Sequence, residues 1–339
     1  MQTILLLGGA GFVGSAVAHD LLVQGYGVVI VDLFLHKQTV ALPGAIIIKS
    51  DFGDEQVLRA IFSAYRITAV MHFAAYIEVG RSVDEPAQFY ENNVIKTKRL
   101  LDVMREYNVP KLVFSSSCAI YAPLRTLEKL TEQHAIHPLS PYGKTKLAVE
   151  FLLQDYARAY GLSYVSLRYF NAAGGLPHYS LGEQHDPETH VIPLLFKACM
   201  QGNSFTLYGD DYPTPDGTCV RDYIHISDLS SAHSKALLHL NAGGAAMALN
   251  IGSGVGCSVK ELIAVVTAVC GQSINVIIRP RRAGDAPILL ADTTLAERIL
   301  SWRAHATLEQ IVRDAWCFFH NKHIKQLKNT GSALNLENS

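Results

Sequence analysis

Cysteine is scarce in this 339-residue sequence. Cys118, Cys199, Cys219, Cys257, Cys270 and Cys317 lie scattered through apolar segments, and no two form a CxxC pair. Such spacing argues against a disulfide framework or a structural zinc and predicts reduced, mostly buried thiols in a cytosol, with no metal ligands assigned. An excess of either charge is also missing: 29 Lys+Arg stand against 30 Asp+Glu, a formal net charge of −1. That balance lacks the basic footprint of a protein that tracks nucleic acid or an anionic membrane, so the expected partner is a small molecule. Long hydrophobic runs are absent too. The first, residues 4–7, is too short for a signal-peptide core and has no basic flank, and nothing approaches the length of a bilayer span. The expectation is a cytoplasmic chain, neither secreted nor inserted in a membrane. No internal repeat or low-complexity block is visible.

What is present is an apolar content of 49%, enough for a large cofactor domain and a smaller partner lobe. Short β-branched runs (3–7, 28–32, 69–73, 111–115, 163–168) alternate with amphipathic stretches (12–24, 54–64, 86–106, 141–160). Continuous apolar strands joined by helices predict an α/β fold, a Rossmann-like, doubly wound parallel sheet over residues 1–170. Beyond Asn171 the rhythm weakens. Gly, Pro and Asp collect at 172–177 and 209–217, and helices are expected near 191–200, 227–240, 258–269 and 308–320. Residues 171–320 therefore read mainly as a smaller C-terminal α/β substrate lobe, with some segments returning to the first domain. Residues 321–339 read as a polar, loosely held tail.

Gly8, Gly11 and Gly14 join the first strand to the first helix, where glycines allow a tight turn and close approach to a pyrophosphate at a helix N-terminus. The same residues also fit a Gly9-x-Gly11-x-x-Gly14 register, so spacing leaves the register open. Asp32 closes the second strand, where a carboxylate would accept from both ribose hydroxyls and repel a 2′-phosphate, favouring NAD over NADP. Asp51 and Phe52 follow the third strand, and Phe73, Ala74 and Ala75 close the fourth, facing either the ligand crevice or the core. Ser115, Ser116 and Ser117 end the fifth strand. After them, Tyr142 and Lys146 stand four apart on a predicted helix and so share a face. A phenol with a reference pKa near ~10 becomes a usable base only beside positive charge. Ser117 and Tyr142 would hold a substrate hydroxyl between them.

This ordered set resembles the extended short-chain dehydrogenase/reductase family over nearly the whole chain. Within it, residues 167–171, 208–225 and 281–285 are similar to the branch of UDP-sugar 4-epimerases acting on UDP-glucose and UDP-galactose. The resemblance implies an NAD site of Gly8, Gly11, Phe12, Val13, Gly14, Asp32, Asp51, Phe52, Phe73, Ala74, Ala75, Asn93, Ser115, Tyr142, Lys146 and Tyr169. It implies catalysis by Tyr142, Lys146 and Ser117. It places a UDP-sugar on Ser117, Tyr142, Asn171, His190, Val191, Tyr208, Arg221, Arg282, Asp285 and Leu289, and it implies a homodimer through helices 86–106 and 141–160.

Leu7, Ile77, the 94–97 segment Val-Ile-Lys-Thr and His190 depart from the family pattern. Leu289 falls where members excluding N-acetyl sugars carry a large aromatic and permissive members a small residue, which implies a preference rather than exclusion. Arg221 and Arg282 suit a diphosphate because a guanidinium fork meets phosphate oxygens bidentately, while ordinary salt bridges to Asp222 and Asp285 are the plainer reading. The alternatives are a 4-epimerase of UDP-N-acetylglucosamine or a UDP-pentose, a nucleotide-sugar dehydrogenase or reductase, and a non-enzymatic NAD sensor. A 4,6-dehydratase would carry an Asp-Glu pair where Cys118 and Ala119 stand.

Overall fold

The structure is a computed structural model describing residues 2–34, 42–124, 126–185, 188–282 and 285–329, with side chains described to residue 324. The chain opens β1 (Thr3–Leu7), α1 (Phe12–Val23), β2 (Gly27–Asp32), β3 (Ala45–Lys49), α2 (Glu55–Ala64), β4 (Ile67–His72). Next come α3 (Val79–Asp84), α4 (Pro86–Tyr90), a π turn (Glu91–Ile95) and α5 (Lys96–Glu106), leading to β5 (Lys111–Ser117), α6 (Pro141–Tyr160) and β6 (Ser163–Tyr169). The remainder runs β7 (Asn171–Ala173), β8 (Gly175–Leu176), β9 (Leu181–Gly182), α7 (Val191–Gln201), β10 (Ser204–Tyr208), β11 (Val220–His225), α8 (Ile226–Asn241) and β12 (Met247–Ile251). It ends with β13 (Gly256–Ser258), α9 (Val259–Cys270), β14 (Asn275–Arg279), β15 (Ile288–Leu289), α10 (Thr294–Leu300) and α11 (Leu308–Asn329).

Seven strands pair in the order β12-β6-β5-β4-β1-β2-β3, and every pairing is parallel. The order reverses between β1 and β4, so their carboxyl ends open a crevice, the usual ligand position in such sheets. Helices α1 and α8 cover one face through Val17, Leu21, Leu229 and Leu237. The other face packs Leu58, Leu100, Met104, Val149 and Leu153 from α2, α5 and α6. A separate core joins α7, α9 and α11 to β10 and β11 through Leu195, Phe196, Leu207, Leu262 and Val312. Residues 226–251, although late in the chain, thus belong to the large sheet.

Local chemistry sets the key helix. Ser140 accepts a hydrogen bond from the Gly143 amide, Pro141 stands in the first turn, and Gly161 ends α6 at φ 73°. Each is a preferred stop or start signal. Two expectations need correction. The helix expected over 86–106 is interrupted by the π turn, an extra backbone residue that re-aims Asn93. The tail expected from Asn321 is instead helical through Asn329, because Ile311, Val312, Ala315 and Phe318 anchor α11; residues 330–339 lie outside the described residues.

Beneath the crevice, Arg168 on β6 meets Glu150 on α6 at 2.5 Å, with side chains 6% and 2% exposed. Burial opposes the charge on Arg168, and Glu150 more than restores it, so its pKa lies above the usual guanidinium range. The Ser116 hydroxyl also donates to Glu150, at 2.5 Å, and Arg168 donates to the Tyr121 hydroxyl at 2.8 Å. Removing one partner of such a pair strands a buried charge and costs about 3–5 kcal/mol. Glu150→Ala is therefore expected to lower unfolding stability by about that amount, measured by denaturant titration; a loss under ~1 kcal/mol would show that water reaches the pair.

Candidate active site

The turn between β1 and α1 is built for close approach. Gly8 adopts φ +76°, and a Cβ there would lie 2.6 Å from the Ala74 amide nitrogen. A Cβ on Gly14 would meet the Gly8 carbonyl oxygen at 2.3 Å, so helix and turn touch backbone to backbone. This resolves the register: Gly8 forms the turn and Gly14 the packing contact, while Gly9 is pressed against Ile30 and Leu6. Phe12 and Val13 begin α1, with Val13 packed against the core. Asp32 at the end of β2 accepts from the Ala10 amide at 3.0 Å and the Phe34 amide at 2.7 Å. The cradle fits a dinucleotide: a helix N-terminus faces the crevice and a carboxylate waits at the next strand end.

The neighbouring positions divide between crevice and core. Asp51 pairs with Lys96 Nζ at 2.5 Å, and Phe52 is buried against His72, ring centroids 4.9 Å apart. Ala74 donates its amide to the Leu7 carbonyl, beside half-buried Ala75. Phe73 and Tyr169 both pack on His233, and the Tyr169 hydroxyl lies 3.2 Å from its Nε2. Asn93, expected against the cofactor, is buried and spent on the protein. Its Oδ1 accepts from the Tyr76 amide, and its Nδ2 donates to the Tyr76 carbonyl and Thr145 hydroxyl. It locks the loop after β4 onto α6. Lys96 was missed as a partner of Asp51; the unusual 94–97 segment was the available signal.

The strand-end serines and α6 meet as expected. Tyr142 is half-buried and Lys146 buried on one face of α6. Lys146 donates to the Ser115 carbonyl at 2.8 Å and lies 5.9 Å from the Tyr142 ring centroid. Desolvation pulls the Lys146 ammonium down to about 7, against the opposing pull of Glu150. Desolvation likewise pushes Tyr142 up to about 12, opposed by its hydrogen bond with Ser117. Ser117 also accepts from the Ala119 amide at 3.2 Å. The arrangement holds a phenol and a hydroxyl together at the end of β5, with an ammonium behind them that can shed its charge.

The second lobe supplies cations. Arg221 on β11 donates to the Val220 carbonyl at 3.0 Å and forms no ion pair among the described residues. The alternative of a salt bridge to Asp222 does not occur, because Asp222 accepts from Ser253, Gly254 and Ala291. Arg282 does pair with Asp285, at 2.9 Å with 59% of its side chain exposed, and lies 5.0 Å over the Tyr208 ring. Leu289 is in register with Arg221 on β11 and packs with Leu147 against the cluster holding Cys118 and Tyr121. The Cys118 thiol, pushed to about 12 by burial, feels the Arg221 charge and in turn acts on Tyr142. Asn171 pairs with Tyr223, bringing β7 beside β11. His190 and Val191 open α7, but the His190 ring turns to Glu183 and Glu188, 2.9 and 3.3 Å away. The ring therefore has carboxylate partners on residues that precede it in the chain.

Residues 4–252 match the model of the NAD dependent epimerase/dehydratase family. The chain belongs to that family. It is 43% identical to the UDP-glucose 4-epimerase of Halalkalibacterium halodurans, over 95% of this chain and 96% of that one. Its fold is similar to the crystal structure of UDP-glucose 4-epimerase from Brucella ovis in complex with NAD, with TM-score 0.90, 44% identity and coverage of 94% and 98%. It is also similar to the Bifidobacterium longum UDP-glucose 4-epimerase in complex with NAD+ and UDP, with TM-score 0.90, 34% identity and coverage of 95% and 99%. For a family defined by NAD dependence, the glycine cradle and Asp32 are the fitting dinucleotide seat.

The two glycine contacts separate folding from cofactor binding. A Cβ on Gly11 would meet nothing nearer than 3.4 Å, an ordinary contact, whereas one on Gly14 strikes backbone. Gly11→Ala is therefore expected to keep the melting temperature within a few degrees and lose most co-purified dinucleotide, while Gly14→Ala lowers both. Dinucleotide released on denaturation measures this, and full NAD retention in Gly11→Ala would move the pyrophosphate away from that position.

Proposed function

We infer that the chain is an NAD-dependent isomerase that interconverts UDP-glucose and UDP-galactose by inverting C4 of the sugar. The observation that carries the reading is Lys146 fixed to the Ser115 carbonyl at 2.8 Å and 5.9 Å from the Tyr142 ring centroid, beside the glycine cradle, in a chain 43% identical to a UDP-glucose 4-epimerase along 95% of its length. When bound, NAD supplies the hydride acceptor and donor. Tyr142 accepts the proton of the 4-hydroxyl and later returns it; Ser117 holds that hydroxyl against the phenol. Lys146, fixed by the Ser115 carbonyl, brings positive charge to the same side and favours the phenolate.

Loss of a proton and a hydride leaves a 4-keto sugar. Inversion then requires one end of the molecule to stay anchored while the ring turns over. Arg221 is suited to that anchor because its guanidinium is bound only by carbonyls. Arg282 can exchange Asp285 for phosphate at little cost, since an exposed pair contributes about 0–1 kcal/mol. Asn171, Tyr208 and Leu289 complete the proposed sugar-nucleotide seat, with Leu289 nearest Arg221 along the strand register.

We also assign a cytoplasmic setting and a homodimer through α4–α6. Those helices pack side by side and leave Tyr90, Ile95 and Phe151 at least 40% exposed. Light scattering is expected to give twice the chain mass at micromolar concentration, and a monomer would remove this part of the reading.

The central test is to incubate purified chain with UDP-galactose and no added NAD. UDP-glucose should form without net accumulation of reduced cofactor, and Tyr142→Phe should retain the fold and bound NAD while losing about 10²- to 10⁴-fold in kcat. Absence of interconversion by the folded wild type, or near-normal turnover by Tyr142→Phe, would overturn the assignment.

A further inference from the structure

Four ligating side chains converge outside the crevice, between β9 and α7: Glu183, His185, Glu188 and His190. One donor atom from each lies within 4.8 Å of the other three. The four carboxylate–imidazole edges are tighter. His190 Nδ1 is 2.9 Å from Glu183 Oε1 and 3.3 Å from Glu188 Oε1, and His185 Nδ1 is 3.5 and 3.8 Å from the same two atoms. Zinc bonds of about 2.0–2.2 Å at tetrahedral angles require ligand–ligand edges near ~3.3–3.5 Å. The observed edges bracket that length, so small side-chain adjustments would close a four-ligand shell.

The donor chemistry selects the ion. Two imidazole nitrogens with two carboxylate oxygens suit a borderline cation, whereas Mg2+ and Ca2+ favour all-oxygen shells. Charge agrees, since two glutamates balance a divalent ion when both imidazoles are neutral. The glutamate side chains are only 10% and 4% exposed, and carboxylates so withdrawn from water need a counter-charge, which protonated His190 supplies in the metal-free chain and a bound cation would supply in its place. We propose that Glu183, His185, Glu188 and His190 form a closed, structural zinc site. Four protein ligands leave no open coordination position, the mark of a structural ion, and the proposal departs from the expectation that this chain uses no metal.

The ion would fasten the segment after β9 to the first turn of α7. That helix carries Leu195 and Phe196 into the second core, so metal binding is expected to report as stability of this lobe. Binding and folding are coupled in such sites, because the arranged ligands are rarely present in an unfolded chain.

The test uses the untagged full chain, stripped with chelator and dialysed, then titrated with Zn2+ by calorimetry and analysed for bound metal by mass spectrometry. About one Zn2+ per chain is expected with Kd below about 1 μM and a higher melting temperature, while Mg2+ produces neither. His185→Ala and Glu183→Gln should each weaken Zn2+ binding at least about tenfold, with circular dichroism and retained NAD confirming the fold. Co2+ in place of Zn2+ should give the intense visible absorption of tetrahedral coordination. A folded wild type that takes up no zinc at tens of micromolar, or variants that bind it undiminished, would overturn the site.

Discussion

The buried contact between Glu150 and Arg168 is the constraint on which the catalytic geometry depends. Glu150 lies one helical turn after Lys146 on α6, and Arg168 lies near the end of β6, next to the strand that carries the three serines. The pair therefore fixes the rotation of α6 about its own axis. With that rotation set, Lys146 reaches the Ser115 carbonyl and Tyr142 reaches Ser117. Tyr121 extends the network to Asn250 on β12 at 2.7 Å, and the Asn250 side chain donates to the Leu130 carbonyl. The segment between β5 and α6 is thereby tied to a strand from the far end of the chain. An apolar pair could fill this volume with equal or better stability, but it would not aim four hydrogen bonds.

The same burial that orders the site also sets its resting charge. Desolvation disfavours charge on both members of the proton-handling pair, raising the phenol and lowering the ammonium. Lys146 escapes full neutralisation because Glu150 lies within electrostatic reach. Burial holds the Tyr142 phenol up, and the lowering influence of Ser117 is opposed by Cys118 and Glu78. Tyr142 is consequently held as the neutral phenol near neutral pH. On the proposed mechanism, a positive charge brought close to the phenol is required before it acts, which would make proton transfer conditional on a filled site.

Much of this was legible in the sequence because local signals and global packing agree. The helix Pro141–Tyr160 carries its own cap, first-turn proline and terminal glycine, and the parallel strands read as unbroken apolar runs because both sheet faces are covered. What was not legible depends on contacts distant in sequence. The π turn at Glu91–Ile95 leaves no compositional mark, yet it contains Asn93, which holds Tyr76 and Thr145. The polar residues after Asn321 resembled a tail, since a helix anchored at its first half needs few apolar residues in its last turns. His190 was read without Glu183, His185 and Glu188, whose side chains lie around it although they are separate in sequence.

Arg221 shows how a fold can keep a guanidinium out of a local ion pair. An arginine next to an aspartate ordinarily invites a local ion pair, which would quench the charge. In β11 the two side chains lie on opposite faces of the strand, and Asp222 is fully buried. Its oxygens accept from the Ser253 amide and hydroxyl and the Gly254 and Ala291 amides. Those bonds offset the burial that raises its pKa. They leave it neither room nor need for a guanidinium. Arg221 keeps its donors aimed at backbone carbonyls, weaker partners than any phosphate oxygen. The strand thus keeps the positive charge on one face by satisfying the negative charge on the other, and under the proposed function a diphosphate at β11 would displace neutral carbonyl acceptors.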